Sequence, residues 1–336
     1  MQRVEALGLK FVTDALYGDH LRGADHPERP DRVEAVAALL RAGGVLAESL
    51  DARDATREEI QQVHTLGYVE LVARETAAAN GVRELSTGDT LVDATSYRVA
   101  VRAAGGAIVA VEASLAGGEA VFALVRPPGH HAEPARGMGF CVFNNAAIAA
   151  RAAGRRVLVV DFDYHHGNGT EAVAGDGLSY ASTHAAPAYP GTGTRSYRLG
   201  RDAVVNVPLP AGGVSTEAFV ALWQMLLPAV ARSVAPELLV VSAGFDYIAG
   251  DPVGDLGIGV EAAAPIAAAI RSVAGEYCGG AVAYVLEGGY GVGALARSIA
   301  AIAAAHGGQA APLGDADLRA IPEPVRARVQ AFFNSR

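Results

Sequence analysis

The sequence predicts an α/β fold of three layers, α/β/α, around a mainly parallel sheet. Three observations predict it: short apolar runs rich in valine and leucine, longer alanine-rich stretches between them, and glycine pairs where those stretches stop. A strand buried on both faces reads as a continuous apolar run, as Val157-Leu158-Val159-Val160 does. Strands are expected at Leu9–Val12, Ala120–Val125, Arg156–Asp161, Leu178–Ser182, Val204–Val207, Glu237–Ser242 and Ala281–Leu286. Helices are expected near Pro30–Ala42, Thr95–Ala116, Asn144–Ala153, Ser215–Val234, Val260–Cys278 and Val292–Ala305. Thr95-Ser96 and Ser215-Thr216 stand where N-caps belong, and Gly117-Gly118 and Gly279-Gly280 where helices end. No internal repeat, low-complexity tail or Pro/Ser linker interrupts the pattern, so residues 1–336 are expected to form one domain.

Composition excludes several classes. A hydrophobic content of 51% supplies a large core, and the net charge of −9 comes with no basic stripe, which argues against nucleic acid as a direct ligand. Cys141 and Cys278 are far apart and in no metal-type spacing, which fits a reducing compartment without disulfides. Met1-Gln2-Arg3-Val4-Glu5 lacks the apolar core of a signal peptide. No uninterrupted apolar run reaches the ~18–20 residues of a membrane span. A cytoplasmic protein with no membrane partner is expected, and a homo-oligomer is compatible with these features.

The polar residues order themselves by topology. Ala120–Val125 is followed by Arg126-Pro127-Pro128-Gly129-His130-His131, and Arg156–Asp161 runs into Asp163 and His165. Glu237–Ser242 leads to Asp246, and Ala281–Leu286 to Glu287-Gly288-Gly289-Tyr290. In open α/β sheets, sites gather at the carboxyl ends of strands. Asp163 and His165, two apart on an extended segment, point to one face. With Asp246 they would make a three-ligand site with an open position, as in a catalytic zinc centre. Adjacent imidazoles with different partners can hold different protonation states, which acid–base work requires, and Asp161 and Asn168 are available as those partners. Tyr290, flanked by glycine, can offer its hydroxyl to a developing oxyanion. Taken singly, Asp246 reads as a turn residue, the histidine pair as a solvated loop and Tyr290 as a rim aromatic. Their arrival on four successive strand ends argues otherwise.

Several motifs together resemble the histone deacetylase superfamily. They are Arg126–His131 with Gly137-Met138-Gly139-Phe140-Cys141-Val142-Phe143-Asn144-Asn145, the run from Asp161 to Gly169, Pro190-Gly191-Thr192-Gly193, Ser242–Pro252 and Glu287–Tyr290. His26-Pro27-Glu28-Arg29-Pro30-Asp31-Arg32 is similar to the class II and bacterial branch, which includes acetylpolyamine amidohydrolases. The resemblance implies the arginase/deacetylase fold, one zinc ion and hydrolysis of an acetamide to acetate and amine. By position it implies Asp163, His165 and Asp246 as zinc ligands, and His131 as general base and acid. It implies His130 as an electrostatic partner supported by Asp161, and Tyr290 as the carbonyl-polarising phenol. Asn168 stands where class I members carry aspartate. Gly139 and Phe140 match one tunnel wall; the other wall is usually phenylalanine and is Tyr189 here. Val253 falls where a polyamine-selective member places an acidic gatekeeper. Asp161, Ser182 and Thr183 fall where the family binds structural potassium, Thr183 through its carbonyl.

The substrate implied is an acetyl-lysine side chain or an acetylated small-molecule amine, and a specific acetylpolyamine amidohydrolase is the alternative. A non-catalytic binder of acylated amines is disfavoured, since every catalytic position is filled. A two-manganese, arginase-like hydrolase would need a denser set of aspartates. Gly289-Tyr290-Gly291-Val292-Gly293-Ala294 fits a dinucleotide fingerprint, but no strand follows His306-Gly307-Gly308-Gln309 to carry the acidic residue such a site needs. His64, Cys141 and His184 read as structural. The loop at Tyr17–Arg29 is expected to shape the entrance.

Overall fold

The computed structural model describes residues 8–308 and 316–334. Met1–Glu5 and Gln309 lie outside the described residues. The strands, in chain order, are β1 (Leu9–Thr13), β2 (Leu50–Asp51), β3 (Arg83–Glu84), β4 (Leu91–Val92), β5 (Ala120–Ala123), β6 (Val157–Asp161), β7 (Leu178–Ala186), β8 (Tyr197–Leu199), β9 (Asp202–Pro210), β10 (Leu238–Ala243) and β11 (Val282–Leu286). Nine of them form one sheet in the order β2-β1-β5-β11-β10-β6-β7-β9-β8, while β3 and β4 pair as a small separate ribbon. Every pairing in the large sheet is parallel except β8 with β9. β5, β6, β10 and β11 are buried at every residue, as continuous apolar runs covered on both faces must be.

The helices are α1 (Glu34–Ala42), α2 (Arg57–Gln61), α3 (Leu66–Ala77), α4 (Ser96–Gly117), α5 (Asn145–Ala152), α6 (Asn168–Ala172), α7 (Thr216–Val234), α8 (Ala263–Tyr277), α9 (Val292–His306) and α10 (Glu323–Asn334). α4 and α5 cover one face of the sheet; α1, α9, α8 and α7 pack side by side over the other. The three-layer α/β/α arrangement is therefore as expected. Ser215 caps α7 by accepting the N–H of Ala218 at 3.1 Å, and Gly118 ends α4 at a φ of 61°. Thr95 departs from expectation: α4 begins after it, but its hydroxyl donates back to Asp93 rather than capping.

α4, 22 residues long, could cross a bilayer by length and composition, with a mean hydropathy of 1.6 over its most apolar window. Arg98, Arg102 and Glu112 interrupt it, so it contains no unbroken apolar run of that length, as expected. Two-thirds of its apolar window is buried against the sheet and neighbouring helices, the burial of a core helix. Other elements went unread. α3 carries its apolar stripe at Tyr68, Val69 and Val72, and α2 opens with a capping box between Thr56 and Glu59. β2 and β8 are too short to register as periodic patterns, and β8 is an edge strand.

The histidines away from the strand ends are part of the packing. His64 Nδ1–H donates to the Glu133 carbonyl at 3.0 Å, and its Nε2 accepts the Asn144 N–H at 2.8 Å. That pairing requires the neutral ring, and burial lowers His64 to about 4. Burial likewise takes His20 to about 4, against the opposing pull of Glu28. Between the ordinary value near 6.5 and about 4, the unfolded chain binds more protons than the folded one. Stability is therefore full above that window and falls as the pH drops through it. A shift of this size is worth about 3 kcal/mol for one imidazole. The melting temperature should fall between pH 7 and pH 5. His64→Gln, which donates and accepts without titrating, should flatten that fall; an unaltered slope would remove His64 from the account.

Candidate metal centre and tunnel

The four strands that carry the polar ends are neighbours, β5-β11-β10-β6, and they finish nearly level. Ala123 lies beside Val285, Ala243 beside Leu286 and Ser242 beside Asp161. Parallel strands all present their carboxyl ends to one side, so the following loops must meet there. Asp163, His165 and Asp246 meet with one ligand atom from each lying within 4.8 Å of the others. His165 Nδ1 is 3.1 Å from Asp163 Oδ1 and 2.9 Å from Asp246 Oδ2. Donors at 2.0–2.1 Å around one tetrahedral zinc stand about 3.3 Å apart, so the set has the spacing for a single ion.

The donors are also prepared electrostatically. Asp246 Oδ2 is buried and receives no hydrogen bond; it lies close to His165 Nδ1 but out of line for one. A buried carboxylate oxygen left bare is what a metal ligand looks like before its ion. The other oxygens are held by the backbone. Tyr164 N–H donates to Asp246 Oδ1 at 2.9 Å, His165 N–H to Asp163 Oδ1 at 2.8 Å and Gly288 N–H to Asp163 Oδ2 at 2.8 Å. Burial, then the neighbouring Asp163 charge, raises Asp246 to about 6. Burial pulls His165 down, but Asp246 and Asp163 outweigh it and bring the ring to about 10. The pair of carboxylates demands positive charge. Among the described residues, this is the one cluster of acidic, histidine or cysteine groups spaced to hold a metal.

Beside it, the His130 and His131 rings lie 4.1 Å apart between centres, tilted 44° to one another, and face different partners. His130 Nδ1–H donates to Asp161 Oδ2 at 3.1 Å, and the same oxygen accepts the Tyr180 hydroxyl at 2.9 Å. Burial alone would lower His130; Asp163 and Asp161 overcome it and raise the ring to about 10, so it is a cation at neutral pH. His131 Nδ1–H donates to Asn168 Oδ1 at 2.8 Å. Asn168 is oriented by donating its amide to Glu133 Oε1, also at 2.8 Å. Burial, then the His130 and His165 charges, holds His131 well below the ordinary value, neutral with Nε2 unprotonated. Two like side chains are thus kept in opposite protonation states.

Tyr290 is buried, and burial keeps its phenol protonated by raising it well above its ordinary value. The Arg32 guanidinium lies 4.6 Å from its ring centre and donates to the Gly289 carbonyl at 2.7 Å and to the Glu287 carbonyl. Glu28 pairs with Arg32 at 3.2 Å and, bidentately, with Arg126 at 2.8 and 2.6 Å. The Tyr17–Arg29 loop therefore backs the site through Glu28, and reaches the entrance where the His26 ring meets Phe140 at 4.5 Å.

A cavity of about 190 Å³ leads to the trio, lined by Asp89, Pro128, His130, His131, Gly139, Phe140, Asp163, His165, Tyr189, Val253, Gly288 and Tyr290. The four substrate-wall residues expected from the sequence all line it. Tyr189 sits edge-on to His131 at 5.1 Å. The departure from phenylalanine has a partner: the Tyr189 hydroxyl donates to Asp89 Oδ2 at 3.1 Å, and Gly139 N–H donates to Asp89 Oδ1 at 2.8 Å. Asp89 joins the two walls at the mouth and was not foreseen, because it precedes β4 with no motif around it. Ser182 pairs across the sheet with Asp161, with Thr183 next to it. The glycine fingerprint at Gly289 does lie between β11 and α9, but among the described residues no strand follows α9.

Fold and site together are those of a three-layer α/β protein with one candidate metal centre at the carboxyl ends of its central strands. The chain belongs to the histone deacetylase family: the histone deacetylase domain matches residues 26–306. It is 37% identical over 299 residues to histone deacetylase 15 of Arabidopsis thaliana, covering 84% of this chain and 53% of that protein. It therefore spans about half the length of that relative. It is 34% identical to a probable deacetylase of Archaeoglobus fulgidus over 95% of this chain and 90% of the relative. It is 36% identical to a histone deacetylase-like amidohydrolase of Pseudomonas aeruginosa over 80% and 73%. The crystal structure of the HDA15 HD domain superposes with a TM-score of 0.83 at 32% identity, over 98% of this chain and 96% of that one. Relatives from plants, archaea and bacteria at similar identity place the chain in the superfamily without singling out a branch. Asp163, His165 and Asp246 fit the zinc site of this family.

The closeness of the loops yields a test. A Cβ on Gly288 would stand 2.5 Å from Asp163 Oδ2 and from Asp246 Oδ2. Gly288→Ala should displace both carboxylates and lower bound metal at least as clearly as Asp246→Ala does. The measurement is metal content by mass spectrometry, with circular dichroism confirming the fold; full metal loading of Gly288→Ala would contradict the geometry.

Proposed function

We propose that the chain is a zinc-dependent deacetylase that hydrolyses a linear N-acetyl amide of acetyl-lysine type to acetate and free amine. The observation that carries this reading is the pair of adjacent imidazoles with different partners, His130 on the Asp161 carboxylate and His131 on the neutral Asn168 amide, set against the metal ligands. Asp163, His165 and Asp246 would hold a zinc ion, which would supply Lewis acidity toward a water and the acetyl carbonyl. His131 Nε2 takes the proton from the attacking water and returns it to the departing amine. The fixed charge of His130 favours the anionic transition state without itself moving a proton. The Tyr290 phenol donates to the oxygen on which negative charge develops. Phe140 and Tyr189 line the cavity and would hold the aliphatic stem of the amine, and Gly139 is needed because a Cβ there would stand 2.4 Å from His131 Cδ2.

Structural potassium near Asp161, Ser182 and Thr183 belongs to the same proposal. His184 Nε2–H donates to the Gly193 carbonyl, so its Nδ1 accepts the Ser182 hydroxyl at 2.9 Å. Ser182 thereby turns its oxygen lone pairs toward any cation beside Asp161.

Turnover of acetyl-lysine peptides, acetylputrescine and acetylspermidine, with zinc measured on the same sample, tests the assignment. No turnover of any member by the zinc-loaded protein would favour the non-catalytic binder. Tyr290→Phe should lower kcat by roughly 10²–10³-fold, the usual cost of one oxyanion donor, with zinc content and melting temperature held. Near-normal activity would remove the phenol from the mechanism.

Val253 at the rim offers no attraction to a second ammonium, and Asp89, the carboxylate at the mouth, is exposed, so solvent and salt screen its charge. Acetyl-lysine-like amides should therefore be preferred over acetylspermidine. A carboxylate about 6 Å from an ammonium, at an effective dielectric near 20, attracts it by up to ~3 kcal/mol before desolvation. Val253→Glu should raise relative kcat/KM on cationic acetylated amines by roughly tenfold. An unmodified enzyme that already prefers acetylspermidine would support the polyamine alternative.

A further inference from the structure

One carboxylate with no part in the chemistry so far joins the two loops that carry it. Asp251 Oδ2 accepts the backbone N–H of Tyr290 at 2.7 Å and of Gly291 at 3.0 Å. Its Oδ1 accepts the N–H of Val253 at 3.0 Å and of Gly254 at 3.3 Å. A single side chain thus spans from the β10 loop, which bears Asp246 and Val253, to the β11 loop, which bears Tyr290. Gly291 is the N-cap of α9 and has no side chain to satisfy the helix's first N–H groups. Asp251 approaches from outside the helix, and a negative charge is favoured at that end.

Tyr290 needs such a hold. Its neighbours are both glycines, and Gly289 adopts a φ of 107°, a conformation that gives the backbone no side-chain anchor of its own. Arg32 and Phe140 meet the ring by face and edge, at 4.6 and 5.9 Å from its centre, and Arg32 holds the Gly289 carbonyl at 2.7 Å, which leaves the N–H end of the same peptide group to Asp251. The Asp251 bond fixes the backbone N–H from which the ring projects. A donor displaced by about 1 Å costs on the order of 10²-fold in rate.

We propose that Asp251 is the positioning residue for Tyr290, fixing the phenol over the substrate carbonyl by holding its backbone to the β10 loop. This rests on the reading of Tyr290 as the oxyanion donor. The test is a double-mutant cycle of Asp251→Ala and Tyr290→Phe, with zinc content and melting temperature followed throughout. Asp251→Ala should lower kcat about 10–100-fold, leave KM within about threefold and keep zinc bound. Asp251→Asn, which retains an accepting oxygen, should recover much of that loss. In the Tyr290→Phe background Asp251→Ala should cost less than about threefold, because the group it positions is already gone. Should Asp251→Ala fail to fold, Asp251→Leu, which fills the same space but accepts no hydrogen bond, carries the same cycle. Full additivity with a Tyr290→Phe variant slowed as expected, or zinc lost in proportion to activity, overturns the proposal alone. A Tyr290→Phe variant of normal activity overturns the phenol assignment and the proposal with it.

Discussion

Two carboxylates buried side by side, Asp163 and Asp246, set the terms for the rest of the site. Burying a single charge costs several kcal/mol in a real protein, and burying two like charges in contact costs more. The arrangement holds because each oxygen but one is met by a backbone N–H and because cations stand nearby. That requirement dictates small details of the loops. Gly244 and Gly288 pass so near the carboxylates that a Cβ on Gly244 would lie 1.9 Å from Asp163 Oδ2. The glycines that read as turn residues are there to let the backbone approach.

A second buried charge cluster lies behind the phenol. Arg32 and Arg126 share Glu28, and Arg32 reaches across to the carbonyls of the loop that carries Tyr290. Breaking such a cluster leaves an uncompensated buried charge, so its members stand or fall together. The early His26–Arg32 segment is thereby bound to strand ends far along the chain. Glu287 completes the link: its carboxylate accepts the Gly129 and His130 N–H groups, and burial raises it to about 7. His130, Tyr290 and the candidate metal ligands are tied together by bonds between loops that follow different strands.

Much of this could be read without coordinates. Apolar runs that bury both faces must lie inside a covered parallel sheet, and β5, β6, β10 and β11 are such runs. The polar clusters directly after them could only be strand-end residues, and the motifs are specific enough to assign the metal ligands, both histidines and Tyr290. What could not be read were elements without length or period. α10 follows a proline with only Val325 and Val329 buried, and β2 is held to β1 by two residue pairs.

The sequence by itself determined which strands are interior and which side chains gather past their carboxyl ends, because both depend on local pattern: hydrophobic continuity, and residue types at fixed spacing from a strand end. Tertiary structure alone decided the strand order that makes four of those ends neighbours. It also decided that Asp89 ties Tyr189 to Gly139, and that Asp251 ties the Tyr290 loop to the Asp246 loop. These contacts join residues 39 to 100 positions apart. Their geometry is set by how helices and sheet pack, and no local spacing records that. The protonation states follow for the same reason, since burial and the nearest charge are properties of the folded chain.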